Sequence, residues 1–179
     1  RLGRAEVRLS PGAFLQASPA AEAEVVALVC EGVGKAKRLA DLFSGLGTFS
    51  FALAESASVD AYENSAEALA ALEEAARHTP KLKPMRGYRR DLLQDPLGWQ
   101  ELKPYDAVVF DPPRAGAAAQ AEQFAKSKVK RLVAVSCNPG TLARDLRILV
   151  DGGYQITRVT PVDQFLFSSH VEVVVHLRR

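Results

Sequence analysis

Cys137 is the residue whose surroundings first suggest chemistry, in the stretch Val135-Ser136-Cys137-Asn138-Pro139-Gly140-Thr141-Leu142. The run before it, Leu132 to Val135, is short, branched and apolar, the pattern of a strand buried on both faces of a parallel sheet. Pro139 suits the first turn of a helix, where a missing N–H costs nothing, and Thr141 to Val150 carries helical spacing. A thiol between strand and helix stands at the rim where open α/β sheets bind ligands. Once ionised it is a nucleophile there; otherwise it is a small buried hydrophobe.

Other polar groups fall at the ends of apolar runs. Asp41-Leu42-Phe43-Ser44-Gly45-Leu46-Gly47-Thr48 is a glycine turn closing the strand Arg38 to Phe43, and Glu63, 18 positions after Gly45, closes the next. Glycines let a ligand approach the backbone, and a carboxylate at the second strand end accepts from ribose hydroxyls, so the pair suits a nucleoside. Phe51 stands where a dinucleotide fingerprint has its third glycine, which favours a cofactor without a pyrophosphate, such as S-adenosylmethionine. Asp111-Pro112-Pro113-Arg114 ends a fourth strand. Its prolines make either a plain surface turn or a rigid platform beside a reacting base, and Arg114 is either a solvated charge or a fork for a phosphate or base carbonyl. Glu172 opens the last apolar run, either on an exposed face or facing the site as a proton acceptor. His170 has no metal-ligand partner at useful spacing, and no metal site is expected. Arg144 and Arg147 share a helix face, solvated or turned to RNA.

The elements that must position these residues alternate. The pattern predicts a half-exposed strand from Arg4 to Leu9, a helix from Pro19 to about Val29 and an Ala-rich helix from Ala66 to Arg77 capped by Ser65. A weak strand from Met85 to Arg90 follows a basic, proline-marked loop, Thr79 to Pro84, and leads to Asp91; Asp95-Pro96 starts a short helix. Ala107 to Phe110 is a strand and Gly116 to Lys128 a helix. Tyr154 to Val162 and Val171 to Leu177 are too closely connected for a parallel crossover and must pair antiparallel. The expected fold is therefore α/β, a Rossmann-like, mostly parallel sheet with an antiparallel C-terminal hairpin.

At 179 residues the chain makes one domain, and no apolar run approaches a membrane span. Two distant cysteines, Cys30 and Cys137, argue against a disulfide framework and fit a reducing, cytoplasmic setting, with Cys30 on the apolar side of its helix. The net charge of +2 divides as 12 basic against 11 acidic residues up to Arg90 and 11 against 10 after it. That balance neither announces nor excludes a nucleic-acid partner. The opening on Arg1, without Met, suggests a fragment of something longer.

Taken together, Phe14-Leu15-Gln16, the loop through Gly45 and Gly47, Glu63, Asp111 to Gly116, the stretch from Ser136 to Asp145 and His170-Val171-Glu172 resemble the RNA 5-methyluridine (uracil-C5) methyltransferase family along nearly the whole chain. The Ser-Cys-Asn-Pro run with its Thr-Leu-Ala-Arg-Asp tail is the specific part; the glycine loop is common to many methyltransferases. The resemblance implies a class I methyltransferase fold, S-adenosylmethionine as methyl donor and uracil C5 in ribosomal or transfer RNA as acceptor. It implies Cys137 as nucleophile, Glu172 as base and Arg114 among the catalytic residues. Gln16, Phe43, Gly45, Gly47, Thr48, Glu63, Asp91 and Asp111 are expected at the cofactor. Family members usually carry an N-terminal RNA-binding barrel and an inserted central region, so this chain is expected to be a monomeric catalytic domain, residues 1–179, lacking them. Thr48 stands where Asn is frequent in the family.

The chemistry fits the residue types. Uracil C5 is too weak a nucleophile to take a methyl group until a thiolate adds at C6, and the C5 proton must then be removed. Only about 3% of an ordinary thiol is ionised at pH 7, and the helix after Cys137 is expected to raise that share. Two readings compete: a methyltransferase for an exocyclic base amine, which would carry an aromatic in place of Arg114, and a non-catalytic RNA-binding module on the same fold. Alone, a chain with so little net charge is expected to bind RNA weakly.

Overall fold

In the computed structural model, which describes residues 1–8, 18–163 and 171–179, helices and strands alternate as the pattern requires. They run α1 (Pro19–Val33), β1 (Arg38–Leu42), α2 (Thr48–Leu53), β2 (Ser58–Glu63), α3 (Ala66–His78), β3 (Met85–Arg89), β4 (Ala107–Phe110), α4 (Ala118–Lys126), β5 (Arg131–Ser136), α5 (Pro139–Asp151), β6 (Gln155–Val162) and β7 (Glu172–Arg178). The strands form one sheet in the order β3-β2-β1-β4-β5-β7-β6. β1 to β5 are parallel and β7 runs antiparallel between β5 and β6. No described helix is long and apolar enough to cross a membrane.

Side-chain alternation along the central strands builds two cores. Leu39, Val59, Val109, Val133, Val135 and Val174 turn to the face covered by α1 and α2. Ala40, Leu42, Val108, Phe110, Leu132, Ala134 and Val175 turn to the opposite face, with Phe124 of α4 and Leu142 and Leu149 of α5. Burying one such branched or aromatic side chain contributes about 1.5–3 kcal/mol relative to leaving it exposed. Cys30 packs half-buried against the α1 face, as its position in the helix predicts.

The register brings the strand ends level. Leu42 lies opposite both Tyr62 and Phe110, Phe110 lies opposite Ala134, and Ser136 lies opposite Val173. Phe43, Glu63, Asp111 and Cys137 therefore leave the sheet along one edge. Because β7 runs the other way, Glu172 enters the sheet where the parallel strands leave it. The strand order reverses between β1 and β4, the place where open α/β sheets leave a crevice.

Two expected elements are absent. Leu2 and Ala5 exchange backbone hydrogen bonds at 3.0 Å, folding the chain into a tight turn, so no strand runs through Arg4 to Arg8. Leu9 lies outside the described residues. No helix starts at Asp95: the backbone N–H and carbonyl of Leu97 bond the Gln120 side chain, at 2.8 and 3.0 Å, in place of helical partners.

Candidate active site

The Cys137 turn is held by hydrogen bonds on both sides of the thiol. Ser136 Oγ accepts from the Asn138 N–H at 3.1 Å and donates to the Asn138 carbonyl at 3.2 Å. Asn138 caps α5, its Oδ1 accepting from the N–H groups of Gly140 and Thr141. Its Nδ2 donates to the Arg114 carbonyl at 3.0 Å, and Thr141 Oγ1 donates to the same oxygen at 3.1 Å. One turn further, Arg144 donates to the Ala115 carbonyl and to Asp145 Oδ1, while Asp145 Oδ2 accepts from the Ala117 N–H at 2.6 Å. Between them Gly116 has φ 74°, and a Cβ there would lie 2.6 Å from Arg144 Nη2. The Asp111–Gly116 loop is thus clamped to the start of α5. Of the two helix arginines, Arg144 is part of the clamp and Arg147 makes an exposed pair with Asp151.

The glycine turn is organised around two carboxylates. Glu63 accepts from the Gly45 N–H through Oε2 at 2.9 Å and from the Ser65 N–H through Oε1 at 2.8 Å, which fixes its orientation and leaves lone pairs on both oxygens. Asp41, fully buried, accepts from Ser50 Oγ at 2.5 Å through Oδ2. Its Oδ1 and the buried Ser44 Oγ have no hydrogen-bond partner among the described residues. Phe43 adopts φ 62°, a left-handed conformation that a non-glycine residue holds only where its surroundings enforce it.

A cavity of about 520 Å³ opens between these two halves. Of the residues expected in a site, Phe43, Gly45, Thr48, Glu63, Asp91, Asp111, Arg114, Cys137 and Glu172 all line it. Glu172 is 4% exposed, which removes the exposed-face alternative for it. Gly47 is not in the lining. It has φ 93° at the start of α2, and a Cβ there would lie 2.9 Å from Leu72 and Phe51, so it lets that helix close down on α3. Gln16 and His170 lie outside the described residues.

The carboxylates of the cavity crowd one another. Burial, then Glu172 and Asp41, push the Asp111 carboxyl up to about 8. Burial raises Asp41 to about 7 against the hydrogen bonds from Ser50, with Glu63 adding to the rise. Burial, then Glu172 and Asp111, push the Cys137 thiol up, while its own backbone N–H and Arg114 pull it down. The expected help from α5 is therefore outweighed. The physical reason is burial together with the neighbouring Glu172 and Asp111 carboxylates.

Comparison with known proteins bears on this geometry. The family model for tRNA (uracil-5-)-methyltransferase matches residues 79–179, more than half of the chain. The chain belongs to the tRNA (uracil-5-)-methyltransferase family. An uncharacterized RNA methyltransferase of Brucella melitensis is 58% identical over 99% of the chain and 43% of its own length. A 23S rRNA (uracil(1939)-C(5))-methyltransferase of Acinetobacter baylyi is 36% identical over 92% of the chain and 37% of its own length. Among solved structures, the Pyrococcus abyssi tRNA (uracil-54, C5)-methyltransferase in complex with S-adenosyl-L-homocysteine superimposes with a TM-score of 0.86, at 27% identity, over 99% of this chain and 43% of that one. The chain thus spans less than half the length of these relatives. Within this member of the tRNA (uracil-5-)-methyltransferase family, Ser44, Asn64, Arg90, Leu92 and Leu93 also line the cavity, although spacing did not single them out. Leu92 and Leu93 directly follow Asp91 at the end of β3, and an apolar pair behind a strand-end carboxylate was the available signal.

Proposed function

We propose that this chain is the single catalytic domain of an RNA uracil-C5 methyltransferase, acting as a monomer and methylating a uridine of ribosomal or transfer RNA from S-adenosylmethionine. The observation that carries the reading is the meeting of Cys137 and Glu172 in one cavity with Glu63 and Asp111. The donor set fits the cofactor. Glu63 holds lone pairs ready for ribose hydroxyls, the exposed Leu93 and the half-buried Phe43 offer apolar cover for a base, and Asp111 in the cavity wall is a carboxyl whose ionisation a nearby sulfonium would favour. Thr48 and Asp91 lie on the same wall, and Gly45 keeps it open to the ligand. When bound, S-adenosylmethionine supplies an electrophilic methyl group and a positive charge.

The residues of the chain then divide the work on uracil. As a thiolate, its proton lost to solvent, the Cys137 sulfur bonds to C6; the C5–C6 π pair becomes a C4–C5 double bond and the C4–O π pair moves onto the oxygen, giving an enolate whose C5 is nucleophilic. Arg114 lines the cavity with its carbonyl held by Asn138 and Thr141, and its guanidinium would hold that oxygen or a flanking phosphate. Once C5 carries both a methyl group and a hydrogen, the Glu172 carboxylate takes the proton. The C5–C6 double bond reforms and the sulfur leaves.

Methyl-labelled S-adenosylmethionine and uridine-containing RNA test the reading, with calorimetry of S-adenosylhomocysteine alongside. The expected label is in 5-methyluridine after digestion, and Glu63→Ala is expected to weaken binding of the product by about 10-fold to 100-fold, the worth of one or two charge-assisted hydrogen bonds. Label on an exocyclic amine would move the protein to another class of methyltransferase. Equal affinity in wild type and Glu63→Ala would remove Glu63 from the site.

A further inference from the structure

The open edge of the sheet carries a charge that the cavity does not use. Residues 77–90 include Arg77, Lys81, Lys83, Arg86, Arg89 and Arg90 and no Asp or Glu, in a chain whose net charge is only +2. Arg90 is engaged by Asp95 and Glu101, and Arg89 donates to the Asn64 carbonyl. Arg77, Lys81, Lys83 and Arg86 have no ion pair among the described residues. These four line a groove of about 550 Å³ between the end of α3 and β3, with Glu73 the one carboxylate in its wall.

Charged residues on an edge strand also deter pairing with other strands, but that needs only one or two of them. Three features ask for more. Lys81 follows Pro80 in the turn with φ 67°, where glycine or asparagine would sit without strain, so a lysine is kept at a conformational cost. Tyr88, 37% exposed, alternates with Gly87 and turns its ring to the face of β3 opposite α3, stacked on Tyr62 at 5.0 Å, so an exposed aromatic ring lies beside the groove. β3 also leads straight to the cavity: it spans five residues, about 17 Å, and Arg90 and Asp91 just after it line the cavity wall.

We propose that this groove is a track for the phosphate backbone of the RNA strand flanking the target uridine. Arg77, Lys81, Lys83 and Arg86 meet phosphates, and Tyr88 offers a stacking surface to a base. The proposal rests on the RNA reading of the cavity and adds where the strand runs. It also localises charge that a net count averages away: four unpaired cations in one concave strip attract a polyanion even when the whole chain is nearly neutral.

The test is fluorescence anisotropy with a labelled, uridine-rich single-stranded RNA, comparing the wild-type chain with the Lys81→Gln/Lys83→Gln/Arg86→Gln variant between about 50 and 200 mM salt. Loss of three phosphate contacts is expected to lower affinity at least 10-fold at the low-salt end and to make the slope of log K against log salt shallower by about 2, at about 0.7 per contact. Binding of S-adenosylhomocysteine should be unchanged in the same variant. Lys81→Gly alone should raise the thermal midpoint, because its backbone strain is relieved, while still making the slope shallower. Unchanged RNA affinity and slope in the triple variant, with S-adenosylhomocysteine binding intact, would overturn the groove, as would a lost affinity with an unchanged slope. A wild-type chain that shows salt-dependent, groove-dependent RNA binding but transfers no methyl group would leave the groove standing and sink the reading of the cavity.

Discussion

The two walls of the cavity are built on different principles. Around Cys137, Ser136, Asn138, Thr141, Arg144 and Asp145 form a closed set of hydrogen bonds that ties two loops into one unit. Around the glycine turn, Asp41 Oδ1 and Ser44 Oγ have no hydrogen-bond partner among the described residues, Glu63 raises the affinity of Asp41 for a proton, and Glu172 and Asp41 raise that of Asp111. The first wall places a reacting atom by geometry. The second sets a charge, and a positive group in the cavity would relieve its repulsion. On the proposed function, position for chemistry and affinity for a cation come from separate parts of one sheet edge.

The contrast can be broken from the charged wall with the largest effect. A carboxyl harder to ionise in the folded protein than in the unfolded chain favours folding below its unfolded value of 3.8, and that contribution is lost as pH rises through about 7. Asp41→Asn keeps an acceptor for Ser50 and removes the titration. Its stability relative to wild type should rise between pH 4 and pH 8 by on the order of 4 kcal/mol at full shift. Urea denaturation at both pH values measures it, and a pH-independent difference would show that Asp41 is ionised in the folded chain despite its burial.

A smaller change should come from the hydrogen-bonded wall. Asp145→Ala leaves the buried Ala117 N–H without its acceptor and frees Arg144, which is expected to cost about 2–3 kcal/mol in urea denaturation. Asp145→Asn should recover most of the loss. If alanine and asparagine were equally mild, the clamp would not be what holds the Asp111–Gly116 loop.

The reading of the sequence was good where a strand ends on a polar residue. Cys137, Glu63 and Asp111 each terminate an apolar run and Glu172 begins one, and strands level at one edge must bring such residues together. It failed where a partner lies far along the chain. Arg144 reads from its helix face as solvated or turned to RNA, yet it serves the loop clamp beside Asp145, which is 2% exposed and reaches Ala117, 28 positions upstream. The helix expected at Asp95 is forestalled by Gln120, 23 positions beyond Leu97. Gly47 carries a demand that its spacing from Gly45 does not show, since a side chain there would meet Leu72 and Phe51. The basic strip from Arg77 to Arg90 vanished for an arithmetical reason, since counting charge over half the chain cancels it against distant carboxylates.

The central claim is that Cys137 and Glu172 act in sequence on the same base, one opening the reaction and the other closing it. Denaturing gels of labelled RNA incubated with methyl-labelled S-adenosylmethionine separate the two roles. With Glu172→Gln the thiolate still adds and the methyl group still transfers, but elimination slows by about 100-fold to 10,000-fold without its base. A slow band carrying both labels should accumulate, and Cys137→Ala should give neither that band nor methylated RNA. No doubly labelled band with Glu172→Gln, or a persistent one with Cys137→Ala, would contradict the account.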